Sequence, residues 1–429
     1  MKQMIVTVCT ALLFISAAAI AQPPAVQWTH SYTLDVPVPN AIIQTLDGGY
    51  AVAGVSQIYT PYFQKVDSLG AIQWRTFSFA AGTARGHAAK EVIQNPDSSY
   101  ALVGTNYYNP WDARYWFVSK VSPSGGNVWA NVVTNGFAYG DPWSLERCGD
   151  GGYVVGGEAY AGLMRVSTTG QNLFERLYDG DLRYVKPLSD GTYTGGGNNL
   201  NSATAPDFYL VHTDLFGTMS WQHTYALPGG QICYGMDATR DGGYILVGSD
   251  SLGLPTNDLD MFVMKVNSAG DTLWTRRYNA GYSDYAWDVR QTQDGGYILL
   301  AYNGSAGMLM KINSAGDSLW STYANAWALS PTADGGYIVA GFNPSQLILT
   351  KYAPDLAPPS PPQSLTVNAT DTGLTLRWHS VPNATSYEVY SAASVSGPYL
   401  LDHSGTFADT TWTSPVAAGQ KYYYVAALR

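Results

Sequence analysis

Short apolar runs alternate with polar turns along most of the chain, and one such pattern occurs seven times. Each copy places an Asp three residues before a Tyr, most often as Asp-Gly-Gly-Tyr, and the Tyr opens an apolar run such as Tyr-Ile-Leu-Val-Gly. An unbroken apolar run of this length predicts a strand covered on both faces, and its closing Gly is expected to let a neighbouring sheet approach. The Asp-Gly predicts a hairpin turn. The seven tyrosines are Tyr50, Tyr100, Tyr153, Tyr193, Tyr244, Tyr297 and Tyr337.

A second marker follows in the first six copies, where a Gly stands four residues before an aromatic residue. The first copy reads Lys-Val-Asp-Ser-Leu-Gly-Ala-Ile-Gln-Trp and ends at Trp74. This spelling predicts a strand, a tight turn and another strand. Each unit should therefore hold four antiparallel strands, with the first before the Asp-Gly and the fourth carrying the Trp. Units of this kind repeated every 40 to 53 residues predict an all-β protein, a seven-bladed β-propeller over residues 22–356.

The two ends of the repeat complement each other. The seventh unit ends near Tyr352 without a Trp strand, and residues 26–32 contain a Trp strand without a unit of their own. We expect this N-terminal strand to complete the seventh blade and close the ring, which leaves no exposed edge at that blade.

The units resemble the Asp-Gly-Gly-Tyr propeller repeats of bacterial exported proteins over roughly residues 26–353. The half with the Gly and the Trp also resembles the tryptophan-docking repeat of quinoprotein dehydrogenases and of outer-membrane assembly scaffolds. Both resemblances rest on scaffold positions and imply a propeller fold. They imply no quinone chemistry, because the adjacent cysteine pair of those dehydrogenases is absent from this sequence.

A Pro-rich linker at residues 357–362 precedes a predicted second domain at residues 363–429. Alternating apolar positions predict the strands of a β-sandwich there. The segment Leu374-Thr-Leu-Arg-Trp378, with the Tyr-Glu-Val-Tyr that ends at Tyr390, resembles strands B and C of a fibronectin type III domain. The chain reaches residue 429 where the last strand of such a domain should begin, so the domain is expected to lack that strand or to close in another way.

The N-terminus has the pattern of an export signal. Lys2 precedes a mostly apolar stretch from Ile5 to Ala19, and Ala19-Ile20-Ala21 supplies small residues at a cleavage site. Residues 1–21 are therefore predicted to be a cleaved signal peptide, which places the mature protein outside the cell or on its surface without membrane insertion.

Composition excludes several function classes. The net charge of −10, with 13% charged residues, argues against a nucleic-acid partner. No zinc-binding, phosphate-binding or nucleophile motif occurs, so the sequence predicts no cofactor, no metal site and no assigned catalytic residue. Cys148 and Cys233 remain after signal removal and are expected to be buried free thiols.

One column of the repeat predicts a ligand site. It lies ten residues before each Tyr and opens the first strand of each unit, near the face that carries the variable loops. Aromatic faces stack on the apolar surface of a sugar and polar side chains bind its hydroxyls, so this mixture suits a carbohydrate. The alternative is that the aromatic members pack between blades. The column comprises Asn40, Lys90, Trp143, Arg183, Tyr234, Trp287 and Trp327.

A second column, seven residues before each Tyr, predicts charge in the central channel. It reads Glu146, Lys186, Asp237 and Arg290 in four successive units, and Ile43, Ile93 and Ser330 in the others. The preceding position is apolar in all seven units and should pack between blades, so strand alternation turns the charged column towards the channel. Structural ion pairing is favoured there over catalysis.

Two functions remain open from the sequence. The first is a non-catalytic exported binding or surface protein whose ligand is an extracellular carbohydrate or a protein. The second is a carbohydrate-active enzyme, a glycosidase or lyase with its site on the loop-rich face. Binding is favoured because no paired-carboxylate motif stands out.

Overall fold

The computed structural model describes residues 22–428 except 34–36, 57–59, 78–85, 108–113, 133–139, 159–161, 200–205, 228, 252–258, 280–282, 356–361, 363, 371–372, 382–385, 395–399, 403 and 416–421. Within these residues all regular structure is β-strand. No described segment forms a helix with the length and apolar character that crossing a bilayer requires. The chain separates into two compact units, and the larger one comprises Pro24–Asp355.

The larger unit contains 28 strands. In chain order they are β1 (Val26–Thr33), β2 (Val38–Gln44), β3 (Tyr50–Val55), β4 (Pro61–Val66), β5 (Ile72–Thr76), β6 (Gly86–Gln94), β7 (Tyr100–Tyr107), β8 (Arg114–Val121), β9 (Asn127–Val132), β10 (Pro142–Arg147), β11 (Tyr153–Gly157), β12 (Leu163–Val166), β13 (Asn172–Arg176), β14 (Tyr184–Pro187), β15 (Tyr193–Asn199), β16 (Asp207–Thr213), β17 (Met219–Tyr225), β18 (Gln231–Ala238), β19 (Tyr244–Asp250), β20 (Asp260–Val266), β21 (Thr272–Tyr278), β22 (Asp284–Gln291), β23 (Tyr297–Asn303), β24 (Gly307–Ile312), β25 (Ser318–Tyr323), β26 (Ala328–Pro331), β27 (Tyr337–Asn343) and β28 (Gln346–Tyr352).

These strands form repeated four-stranded antiparallel sheets. Six sheets each consist of four consecutive strands, from β2–β5 to β22–β25, and the remaining one contains β26, β27, β28 and β1. The first strands of neighbouring sheets contact one another in cyclic order, and β26 contacts β2. This cyclic arrangement of four-stranded sheets is that of a β-propeller.

The N-terminal strand joins the last sheet, as the sequence predicts. In the pairing of β1 with β28, Trp28 lies opposite Lys351 and Tyr32 opposite Leu347. Tyr32 is buried, and its hydroxyl donates a hydrogen bond to the carbonyl of Gly70 at 2.6 Å. The strand therefore binds the end of the repeat and also contacts the turn of the first sheet.

The repeated Asp holds its own turn and a buried cation. In the first unit the Asp47 carboxylate accepts a hydrogen bond from the backbone N–H of Gly49 at 3.1 Å and pairs with Lys65 at 3.0 Å. His212 occupies the cation position in β16, where its ring Nδ1 lies 3.0 Å from the Thr194 hydroxyl. The other units pair Lys120 with Asp97, Arg165 with Asp150, Lys265 with Asp241, Lys311 with Asp294 and Lys351 with Asp334.

The aromatic marker of each unit packs on the next unit. Trp74 of β5 lies against Gly125, whose φ is +86°, and its Nε1 donates to the carbonyl of Pro123 at 2.9 Å. A Cβ on Gly125 would come within 2.8 Å of the indole, so glycine permits both the turn and the contact. The same contact recurs between Trp129 and Gly170, Phe174 and Gly217, Trp221 and Gly270, and Trp274 and Gly316.

The glycine that ends the second strand was predicted to contact the neighbouring sheet. In most sheets it lies closest to an atom of its own sheet instead. At Gly157 the prediction is correct, since a Cβ there would meet Trp116 of the neighbouring sheet at 2.2 Å. At Gly248 the nearest atom is the carbonyl oxygen of Ile232 in the same sheet, at 1.8 Å. The reason is that a backbone carbonyl oxygen at the start of the same sheet occupies this space, as it also does at Gly54, Gly104 and Gly341. Both cysteines are buried and free, as predicted.

The smaller unit contains two sheets. Its strands are β29 (Thr366–Ala369), β30 (Gly373–Arg377), β31 (Ser386–Ala392), β32 (Leu400–Leu401), β33 (Thr406–Ala408), β34 (Thr411–Pro415) and β35 (Tyr422–Leu428). One sheet has the order β29-β30-β34-β33 and the other β32-β31-β35. A single apolar cluster takes Leu376 and Trp412 from the first sheet and Val389 and Val425 from the second. The predicted signal peptide, residues 1–21, and residues 357–361 of the predicted linker lie outside the described residues.

Candidate functional site

A cavity of about 950 Å³ lies where the first strands of the sheets meet. All seven residues of the predicted ligand column line it, and we call this set the collar: Asn40, Lys90, Trp143, Arg183, Tyr234, Trp287 and Trp327. Trp327 is 51% exposed, and the other six are half-buried. The collar aromatics therefore border the cavity and are not enclosed between sheets.

A β-bulge places most of the collar side chains. In β22, Ala286 pairs with Ala301 and Asp288 with Leu300, so Trp287 is the extra residue without a partner in β23. Asn40, Lys90, Trp143 and Tyr234 are the extra residues at the equivalent bulges. A bulge breaks the alternation of side chains along a strand and re-aims the extra residue. Arg183 and Trp327 each directly precede their first strand.

Ring and cation contacts connect the collar from one sheet to the next. Lys90 and Arg183 both lie over the Trp143 ring, at 4.8 and 5.3 Å from its centroid, and Arg183 also lies 5.7 Å from the Tyr234 ring. Trp287 and Trp327 are 6.0 Å apart between ring centroids. These contacts hold the collar side chains in defined positions without burying their outer faces.

The polar members of the collar already have protein partners. Lys90 Nζ lies 2.8 Å from Asp141, and Arg183 lies 2.5 Å from Glu158. The Asn40 amide donates to the carbonyl of Ala89 at 2.6 Å. The cations are therefore neutralised locally, and the aromatic members offer the freer surface to a ligand.

An aromatic arc extends the collar on one side of the cavity. It adds Tyr285 and Tyr302 to Tyr234, Trp287 and Trp327. The Tyr285 ring lies 5.6 Å from Tyr234, 5.8 Å from Trp287 and 5.5 Å from Tyr302, measured between centroids. Neither tyrosine belongs to the collar column, because Tyr285 stands before the bulge and Tyr302 is on the second strand.

Three residues of the charged column, Glu146, Lys186 and Arg290, line the cavity as predicted. The fourth, Asp237, is not among the lining residues and lies beside Lys186. Lys186 pairs with Glu146 and lies 3.6 Å from Asp237, so three successive sheets are bridged. Arg290 Nη2 lies 3.4 Å from Oδ1 of Asp288. Ile43, Ile93 and Ser330 complete the wall at this level.

Two further carboxyl groups in this layer, Glu91 of β6 and Asp288 of β22, were not predicted from the sequence. Each lies two residues before the charged column, on the same strand face, so period-two alternation was a signal for them. Burial raises the pKa of Glu91 to about 7 against the opposing charge of Arg290. Burial likewise raises the pKa of Asp288 to about 6, again opposed by Arg290 and reinforced by Asp237. Tyr184 also faces both carboxylates.

These shifts predict a pH dependence of stability. Both acids keep a proton in the folded state at a pH where the unfolded chain has lost it, so the folded state binds more protons between about pH 4 and pH 7. Stability should therefore fall as the pH rises from 5 to 8, and the Glu91→Gln variant should show a shallower fall. Melting temperatures across this range test the prediction, with Asp317→Asn as an exposed acid control. An unchanged slope in Glu91→Gln would contradict the assignment.

The comparisons with solved structures show the fold. A streptogramin B lyase structure matches with a TM-score of 0.55 and 10% identity, covering 76% of this chain and 97% of that chain. A catalytically inactive histidine-to-alanine variant of virginiamycin B lyase from Staphylococcus aureus, with quinupristin, matches with a TM-score of 0.54 and 9% identity, covering 76% and 99%. The Pan2 WD40 domain of Neurospora crassa matches with a TM-score of 0.51 and 10% identity, covering 74% and 91%.

No known family profile matches the chain, and no curated protein matches it either. The similar structures include both an enzyme and a WD40 domain. At about 10% identity they establish that this chain contains a β-propeller and leave its activity to the chemistry of its own residues.

Proposed function

We propose that this chain is an exported carbohydrate-binding protein whose ligand site is the collar and the cavity behind it. In this proposal a seven-bladed propeller, residues 22–356, is closed by residues 26–32 and serves as a rigid scaffold. The cyclic contacts of the first strands and the pairing of β1 with β28 support the closed ring.

The other segments of the proposal follow the sequence patterns. Residues 1–21 are a signal peptide of bacterial type, residues 357–362 a linker and residues 363–429 a fibronectin type III-like domain. The two-sheet arrangement of the smaller unit, with one apolar cluster drawn from both sheets, supports a sandwich of that type.

The aromatic arc on the cavity is the observation that carries the proposal. Sugars bind to proteins through the stacking of their CH faces on aromatic rings, and three residues of the arc (Tyr234, Trp287 and Trp327) come from the same bulge-level column of different sheets. A cavity of about 950 Å³ falls within the roughly 300–1,000 Å³ typical of small-ligand sites. A concave pocket of this size favours an oligosaccharide over the broad surface of a folded protein.

Substitution of the arc tests this function. Trp287→Ala and Trp327→Ala should each weaken binding of a glycan found on an array by about tenfold or more, because each removes one stacking face. Both variants should keep a melting temperature close to the wild type, since neither side chain is enclosed. Titration calorimetry with the purified chain measures the affinity, and Phe216→Ala, an exposed aromatic in a turn, is the control.

Full affinity in both variants would remove the arc from the site. Loss of folding in both would instead assign the two tryptophans to packing. Absence of binding to any glycan by the wild type would end the carbohydrate proposal.

A carbohydrate-active enzyme is the second candidate, and Glu91 and Asp288 are the observation in its favour. Because burial raises the pKa of Glu91 to about 7 and that of Asp288 to about 6, Glu91 is partly protonated and Asp288 mostly ionised at neutral pH. Acid–base catalysis requires one acid in each state. The inactive virginiamycin B lyase variant carries a histidine substitution, whereas no histidine is among the described residues that line this cavity. Product release from a panel of polysaccharides would detect such an activity.

A further inference from the structure

Glu91 and Asp288 occupy equivalent positions on the cavity wall. Each follows a bulged collar residue, Lys90 in β6 and Trp287 in β22. The Glu91 carboxylate accepts a hydrogen bond from the backbone N–H of Val92, at 3.0 Å from Oε1. A backbone amide carries no net charge, so this contact does not neutralise the Glu91 carboxylate. The cation that opposes its charge is Arg290.

One buried carboxylate oxygen of Asp288 accepts no hydrogen bond from the described residues. Its side chain lines the cavity and is 8% exposed, and its Oδ1 has no hydrogen-bond partner among the described residues. Arg290 lies 3.4 Å away, within ion-pair range but without hydrogen-bond geometry. An unsatisfied oxygen of this kind is unfavourable. A ligand that brings a donor would remove the penalty.

The charged groups on and around the cavity wall carry an excess of negative charge. Lys90, Arg183 and Lys186 are each paired with at least one carboxylate. Among the described residues on the wall and those paired with it, seven carboxyl groups face four cations, and three of the seven line the cavity themselves. When Glu91 and Asp288 are protonated, as their raised pKa values allow, five carboxylates remain, an excess of one negative charge. Such an excess repels anionic ligands and attracts cations. The carboxylates are Glu91, Asp141, Glu146, Glu158, Asp181, Asp237 and Asp288, and the cations are Lys90, Arg183, Lys186 and Arg290.

We infer that the site selects saccharides that carry a primary ammonium group, with Glu91 and Asp288 as the partners of that group and the aromatic arc under the sugar rings. This inference rests on the proposed carbohydrate function. An ammonium has three donors and suits carboxylates with free acceptor capacity. Aromatic faces also attract a cation, so the arc and the two acids favour the same chemistry. The raised pKa values of both carboxyls agree with this, because a bound cation would take the place of the proton.

Two matched oligosaccharides test the inference on the mature full chain. The probes are the hexamers of β-1,4-linked glucosamine and of N-acetylglucosamine, titrated by calorimetry at pH 6.5 in 0.15 M salt. Wild type should bind the amino form at least about tenfold more tightly, since a desolvated charge-assisted hydrogen bond is worth that much or more. Glu91→Gln and Asp288→Asn should each bring the ratio of the two affinities close to one, with the affinity for the acetylated form unchanged.

The control separates a specific site from the general attraction of an acidic protein for a polycation. Asp317→Asn makes the same change in net charge at an exposed turn and should keep the wild-type ratio. Equal affinities for the two hexamers in the wild type, or an unchanged ratio in both carboxylate variants, would overturn the inference. Cleavage of a hexamer that both variants abolish would assign the acids to catalysis and overturn it as well.

The failure of this inference differs from the failure of the proposed function. If a neutral glycan binds and Trp327→Ala weakens it while the amino hexamer shows no advantage, the carbohydrate site stands and the ammonium selectivity is wrong. If neither hexamer binds, the ammonium inference is wrong, and the glycan array decides the carbohydrate function separately.

Discussion

Deletion of residues 22–33 is expected to lower the melting temperature of the propeller by about 10 °C or more, because it removes β1 from its sheet. The deletion exposes the ladder of β28 and the cavity left by Tyr32, whose ring belongs to an apolar cluster with Ile42 and Leu349. It also breaks the contact between the first sheet and the last, where the Tyr32 hydroxyl binds the Gly70 carbonyl. Thermal unfolding followed by circular dichroism measures the effect.

A shorter deletion and an added peptide make this test specific. Removal of residues 22 and 23, which are exposed and end before β1, should leave the melting curve unchanged. A synthetic peptide of residues 22–33 should restore part of the lost stability by pairing with β28 in trans. An unchanged melting temperature after the longer deletion would show that β1 contributes nothing to ring closure.

The Arg290→Met variant should lower the free energy of unfolding by about 2–4 kcal/mol at pH 8, since it leaves buried acids without their cation. Arg290 opposes the charges of Glu91 and Asp288 on the cavity wall and of Asp237 on β18 of the preceding sheet. Without it the native pKa of each acid rises further above the unfolded value. The folded state then binds more protons, so the loss of stability should shrink as the pH falls towards 5.

Denaturant unfolding at pH 5, 6.5 and 8 measures this dependence. Arg240→Met is the control, because Arg240 is exposed and donates to the carbonyl of Gln293 on the turn side of the sheets. A loss that is equal at pH 5 and pH 8 would mean that Arg290 acts through packing alone.

The repeat in the sequence contains most of the information about the fold. Each scaffold column has a local physical cause that recurs in the structure. The Asp binds its turn and the buried cation, and the Gly before each Trp makes room for the indole of the preceding unit. Such contacts depend on residue type and spacing alone, so the sheets, their order and the pairing of β1 could be predicted before any coordinates.

The candidate site was only partly accessible in the same way. The collar column could be found because it repeats, but strict alternation places Trp287 on the same side of its strand as Val289, which is buried between sheets. Sequence alone therefore left the site and the packing alternatives open. The bulge at Trp287 decides between them by re-aiming its side chain into the cavity.

The sequence by itself determined the strands, their grouping into four-stranded sheets and the columns of the repeat, because each follows from periodicity and turn chemistry within about 50 residues. Only the tertiary structure decided how side chains from different sheets meet. It brought Glu91 and Asp288, almost 200 residues apart, to one cavity with Arg290, and it joined Tyr285 and Tyr302 to the aromatic arc. The physical reason is that ring closure brings together strands that are distant in sequence, and their burial and mutual charge exist only once the ring has formed.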